Sequence, residues 1–81
     1  MNQPEEDVLY ACDDQVYPDY HLRVVRADVG GHLTVSFKGK AIYEQEVPLA
    51  YDARFGPDVM DIEEWGLLAC KVTDEHRANH A

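Results

Sequence analysis

The sequence predicts an α+β protein in which an antiparallel β-sheet fills the N-terminal two-thirds and one C-terminal α-helix packs on it. Apolar and polar residues alternate from Leu33 to Phe37, glycine-containing turns flank that segment, and apolar residues recur at helical spacing after Pro57. Because 81 residues leave room for one core, we expect a single domain, with the polar ends 1–6 and 78–81 disordered.

The first and last strands are predicted with one question open in each. Val8 to Cys12 is rich in strand-forming residues, and it either joins the main sheet or pairs with Val16-Tyr17. Ala41 to Val47 ends at a proline, which suits a strand terminus. Its alternation is poor, so either Ile42 or Tyr43 faces the core.

The central hairpin joins His21 to Asp28 with Leu33 to Phe37. A two-residue loop would place charged residues opposite the apolar side chains of the second segment. A three-residue loop over residues 30–32 pairs Val29 with Leu33 and keeps one face apolar. We therefore expect the three-residue loop.

The helix is predicted to run from Pro57 to about His76. The fixed φ of proline suits the first helical position, and Asp58 complements the helix dipole. Phe55 and Met60 have the spacing of a hydrophobic staple. The residues expected to face the sheet are Val59, Ile62, Trp65, Gly66, Ala69, Val72 and Thr73.

Charge and composition limit the possible partners and compartment. The formal net charge of −9 argues against direct binding to nucleic acid or to an anionic membrane. The acidic N-terminus has no apolar signal region, and no apolar stretch is long enough to span a membrane. Cys12 and Cys70 are predicted to be small buried residues in a reducing compartment, so we expect a cytoplasmic location. The alternatives are a disulfide between them or a reactive thiol.

Three sets of residues carry potential metal or catalytic chemistry: Asp58, Asp61 and Glu64; His76 and His80; and Cys12 or Cys70 with a histidine. The acids also suit a helix N-terminus, and the histidine pair lacks a third ligand nearby. Nothing in the spacing requires a cysteine to meet a histidine. We therefore expect no enzymatic activity, no metal and no cofactor.

Tyr20, Arg23, Phe37 and Lys38 belong to a partial alternation of aromatic and basic residues, which is typical of a stacking platform for nucleic acid. The same pattern is typical of a half-buried sheet, and the excess of acid favours that interpretation.

A small apolar patch is predicted on the outward face of the helix. Leu67 lies about 160° from Trp65 around the helix axis, and Met60 lies seven residues before Leu67. Charged residues border these two side chains. The complete candidate interaction patch is Met60, Glu63, Glu64, Leu67 and Lys71.

In length, acidity and element composition the chain resembles the small accessory proteins of bacteriophages and prophages. The resemblance is one of general character and assigns no residue. It implies a role by contact, in virion or tail assembly or in inhibition of a host defence enzyme. The leading hypothesis is a non-catalytic protein-interaction component, with an unknown protein partner and a possible oligomer. The alternatives are an acidic inhibitor that mimics nucleic acid, and a small enzyme or metal-binding protein.

Overall fold

The computed structural model describes residues 7–49 and 57–80, which form four antiparallel strands and one helix. The strands are β1 (Val8–Asp13), β2 (Tyr20–Arg26), β3 (Gly31–Phe37) and β4 (Lys40–Val47), and the helix is α1 (Val59–Asn79). The strands lie in the order β1-β2-β3-β4 within one sheet, so each pairs with its neighbours along the chain. The predicted fold class is confirmed.

The first strand joins the main sheet, which settles the question that the sequence left open. Cys12 pairs with Leu22 and Asp13 pairs with His21. The register shifts by one residue near the start of β1, where Leu9 forms a bulge. Arg26 fixes this end of the strand, because its backbone N–H donates to the Asp7 carbonyl at 2.8 Å.

The predicted register of the central hairpin is wrong. Leu33 pairs with Val24, whereas the prediction paired it with Val29. The loop contains four residues, 27–30, closed by a hydrogen bond from the Ala27 N–H to the Gly30 carbonyl at 3.1 Å. Val29 is 86% exposed at its tip. Within β2 the even-numbered residues Tyr20, Leu22 and Val24 are buried, so the opposite alternation fills the core.

The β3–β4 hairpin explains the irregular pattern of the last strand. Lys38 and Gly39 both have positive φ, 51° and 83°, as a two-residue hairpin turn of the primed type requires. Val35 pairs with Tyr43, but its neighbour in β3 pairs with Ala41, so Ile42 is the extra residue of a bulge. A bulge sets two residues against one. Both Ile42 and Tyr43 therefore pack against the core, whereas only one of the two was expected to face it.

The helix starts two residues later than predicted. Asp58 is its N-cap, so Pro57 lies outside the helix and not at the first helical position. The Asp58 side chain accepts from the Met60 N–H at 2.8 Å, and the Asp61 carboxylate accepts from the Asp58 N–H at 3.1 Å. This reciprocal pair is a capping box. The predicted staple involves Phe55, which lies outside the described residues.

The C-terminal end of the helix extends three residues past the predicted end. The helix runs through Asn79, and the His80 N–H caps it by donating to the His76 carbonyl at 3.1 Å. Ala78 and Asn79, which the sequence analysis expected to be disordered, lie in this last turn. No described helix is both long and apolar enough to cross a membrane.

The core lies between α1 and one face of the sheet, chiefly over β2 and β3. Trp65 is 2% exposed, and Val72 and Thr73 are also buried. One assignment on the helix was wrong, because Val59 was expected to face the sheet and is exposed. Asp61, for which the sequence predicted no face, is only 4% exposed. The capping box places the Asp61 carboxylate back over the helix start, where it satisfies a backbone N–H.

Candidate functional site

The outward face of α1 carries the predicted interaction patch. The five residues Met60, Glu63, Glu64, Leu67 and Lys71 are all exposed, and we call this surface the outer helix face. Met60 is 63% exposed and Leu67 is 73% exposed. At about 100° per residue, all five lie within roughly 60° of Leu67 around the helix axis. They therefore form one continuous stripe, opposite the side that Trp65 anchors.

Other exposed side chains extend this stripe. Asp74 lies seven residues after Leu67 and about 20° from it around the helix axis, on the side opposite to Met60. Cys70 is exposed beside Leu67. The outer helix face is thus a pair of apolar side chains bordered mainly by carboxylates, with one lysine toward its C-terminal end.

The three carboxylates considered as a metal or proton site do not come together. The Asp58 and Asp61 side chains each accept a backbone N–H in the capping box. Glu64 lies on the outer helix face. Among residues 7–49 and 57–80, no group of three histidine, cysteine or carboxylate side chains is placed to hold a metal ion.

His76 and His80 pack against each other at the end of the helix. Their rings stack with centroids 4.1 Å apart. His80 Nδ1 donates to the His76 carbonyl at 2.9 Å, because a carbonyl can only accept. His76 Nδ1 and the Tyr20 hydroxyl form a hydrogen bond of 2.6 Å. Partial burial lowers the pKa of His76 below its ordinary value, and the neighbouring His80 lowers it further.

An aromatic cluster, which the sequence analysis did not predict, surrounds these histidines. The Phe37 ring centroid lies 4.7 Å from that of Tyr20 and 5.0 Å from that of His76. The Arg77 guanidinium lies 3.7 Å from the centroid of the Tyr17 ring. The contacts of His76 with Tyr20 and Phe37 join the last two turns of α1 to the sheet, and the contact of Arg77 with Tyr17 joins them to the loop before β2. The cluster therefore attaches the helix end to the sheet.

Of the aromatic and basic residues that suggested a stacking platform, Tyr20 and Arg23 lie on opposite faces of the sheet, whereas the Lys38 ammonium lies 5.2 Å from the centroid of the Phe37 ring. Tyr20 is buried on the face that α1 covers, and Phe37 packs against it. Arg23 is exposed on the uncovered face, since it alternates with the buried Leu22 and Val24. The rings of Tyr20 and Phe37 are therefore not beside the Arg23 side chain as a stacking platform would need.

Both cysteines border one cavity of about 350 Å³ between the helix and the β1 side of the sheet. The cavity exists because α1 lies over β2 and β3 and presents small residues here, Gly66 and Ala69. The prediction that both cysteines are buried is wrong, because Cys12 is half-buried and Cys70 is exposed; both are free thiols. A hydrogen bond with Cys12 raises the pKa of the Tyr10 hydroxyl.

The histidine on the rim of this cavity has a different partner. His21 Nδ1 is 2.7 Å from the Asp13 carboxylate, and the two residues pair across β1 and β2. Cys12 pairs with Leu22 on the core side, so the alternation of the strands directs Cys12 and His21 to opposite faces. The thiol and the imidazole are not arranged as a nucleophile and its base.

Comparison of the chain with protein families, with curated proteins and with solved structures gave no match.

Proposed function

We propose that this chain is a non-catalytic protein-interaction component that contacts other protein chains through the outer helix face. The observation that carries the proposal is the alignment of two large exposed apolar side chains, Met60 and Leu67, along one line of a capped helix. Residues seven apart on a helix anchor many helix-mediated contacts between proteins. The capping box and the buried Trp65 hold this line in a fixed orientation.

Among the described residues, four other large apolar side chains are exposed. Val16 and Val29 lie in the loops before and after β2, Val8 begins β1, and Val59 begins α1 beside Met60. Single exposed apolar residues are common on protein surfaces. Met60 and Leu67 share one face of one element and have polar neighbours, which is the usual composition of an interaction patch.

Four of the residues with potential chemistry already have structural partners, which favours a non-catalytic role for them. Asp58 and Asp61 cap the helix, His76 bonds to Tyr20, and His21 bonds to Asp13. The general resemblance to small phage proteins implies the setting in which such a component acts, namely virion or tail assembly.

A second candidate function rests on charge. The helix carries Glu63, Glu64, Asp74 and Glu75 on exposed positions, and the chain has a net charge of −9. A protein that occupies a nucleic-acid-binding groove by mimicry would have such an acidic surface. Its binding would weaken steeply with salt, because exposed charges are screened over about 8 Å at physiological ionic strength. An apolar contact centred on Leu67 keeps most of its affinity in high salt.

A photo-crosslinking experiment tests the leading proposal. A photoreactive phenylalanine replaces Leu67 in one version of the full chain and Val29, the more exposed residue, in the matched control. We expect a defined crosslinked protein at position 67 and not at position 29 in the native cell. The identified protein, once purified, should lose binding to Leu67→Lys and keep binding to Val29→Lys.

Two results would contradict the proposal. Equal crosslinking at both positions would mean that Leu67 is an ordinary exposed residue. Binding to Leu67→Lys that matches the unsubstituted protein, but disappears at high salt, would favour acidic mimicry.

A further inference from the structure

The outer helix face has complementary charges on either side of Leu67. Glu63 lies four residues before Leu67 and Lys71 lies four residues after it, and all three are exposed. At a rise of about 1.5 Å per residue, each charge lies roughly 6 Å along the helix axis from Leu67. Both lie about 40° from it around the axis. An apolar side chain thus stands midway between a carboxylate and an ammonium group.

A two-fold axis through Leu67 would match these charges with each other. In an antiparallel pair of helices related by that axis, each residue before position 67 faces the residue equally far after it in the other copy. Glu63 then faces Lys71 of the second copy, and the symmetry repeats the contact. Leu67 meets its own equivalent at the centre, where both side chains are removed from water.

The same charges disfavour the parallel arrangement. Two parallel copies in register would place Glu63 against Glu63 and Lys71 against Lys71. Like charges in direct contact are strongly unfavourable at an interface. The Glu63–Lys71 pair of charges therefore favours the antiparallel direction of the second helix over the parallel one.

We propose that the outer helix face binds a second copy of this chain, as an antiparallel two-fold pair centred on Leu67. The inference rests on the proposed function, since it names the partner of the same surface. The net charge of −9 on each copy opposes association at long range. Salt screens that repulsion, so the pair forms more readily near 0.15 M salt than in dilute buffer. This salt response is opposite to that of acidic mimicry.

Charge reversal and its rescue test the pairing directly. Sedimentation equilibrium of the full chain over a range of concentrations gives the dimer dissociation constant for each variant. Lys71→Glu creates two like-charged contacts by symmetry, as does Glu63→Lys, and we expect each to raise the dissociation constant at least about tenfold. The double variant exchanges the two charges, and we expect it to return to within about threefold of the original value.

Two control variants separate local pairing from net charge. Lys40→Glu changes the net charge as Lys71→Glu does, but at the exposed first position of β4. Glu46→Lys is the corresponding control for Glu63→Lys, at an exposed position of β4. We expect both controls to remain within about twofold of the unsubstituted chain. Circular dichroism establishes that every variant retains its helix.

Three outcomes would overturn the inference. They are a chain that stays monomeric at millimolar concentration, a double variant that is no better than the single variants, and a Lys40→Glu control that dissociates as readily as Lys71→Glu. The dimer inference can fail while the proposed function stands. If the crosslink at position 67 joins only a different protein, the second copy is excluded as the partner but the outer helix face still binds a protein.

Discussion

Substitution of Gly30 by alanine tests how the β2–β3 loop packs against the end of β4. Gly30 has a φ of +76°, and a Cβ atom added there would lie 2.3 Å from the Val47 carbonyl oxygen and 3.1 Å from Pro48 Cα. Both contacts are with backbone, which cannot rotate away as a flexible side chain can. Gly39 provides a matched control, because its φ is +83° and its added Cβ would meet nothing within 4 Å.

The size of the effect follows from separating backbone strain from collision. A left-handed conformation costs an L-residue about 1–2 kcal/mol, and both substitutions incur this cost. Displacing packed structure to relieve a collision costs about 1–3 kcal/mol more, and only Gly30→Ala incurs this second cost. We therefore expect a loss of about 2–5 kcal/mol for Gly30→Ala and about 1–2 kcal/mol for Gly39→Ala.

Urea unfolding followed by circular dichroism measures both losses. A chain of this length has a total stability of roughly 4–12 kcal/mol, so the difference between the variants is a large share of it. Equal destabilisation would refute the reasoning. It would mean that Gly30, in the loop of residues 27–30, does not pack against the backbone of Val47 and Pro48.

Three further substitutions have defined expectations. Gly66→Ala meets nothing within 4 Å and should stabilise the helix by about 0.5–1 kcal/mol, seen as a higher Tm; a lower Tm would contradict this. Trp65→Ala removes the largest buried side chain and should cost about 3–5 kcal/mol in urea unfolding, whereas a cost under about 1 kcal/mol would show that the helix is not anchored there. The pKa of His76 is lowered in the folded state, so the unfolded chain binds a proton at this residue more readily. The free energy of unfolding should therefore fall as the pH drops below about 6.5, and it should fall less in His76→Gln than in the unsubstituted chain.

Local sequence patterns were sufficient to predict the strands, the helix and the side of the helix that faces outward. Lys38-Gly39 predicted a tight turn because glycine readily adopts positive φ, and the turn has that conformation. Leu67 was assigned to the outward side from the helical repeat alone, and it is 73% exposed. These features depend on residues within a turn or two of one another.

Features that depend on distant contacts were not predictable in the same way. Apolar residues occupy both the odd-numbered and the even-numbered positions in and after β2, so the sequence allowed either Val25 and Val29 or Val24 to face the core. Val24 is the buried one because its face of the sheet packs under α1. The pairing of Tyr20 with His76 joins residues that are 56 positions apart. No spacing within either segment could have indicated it.

The division of the helix into two faces makes the interaction hypothesis testable without disturbing the fold. The inner face is fixed by Trp65 and Val72, and the ends are fixed by the capping box and by the Tyr20–His76 hydrogen bond. None of these contacts involves Leu67 or Lys71. Exposed substitutions away from such contacts change stability by about 0.5 kcal/mol or less. A change in association caused by Lys71→Glu therefore reports on the outer helix face, and its reversal by Glu63→Lys would locate the contact to that one pair of charges.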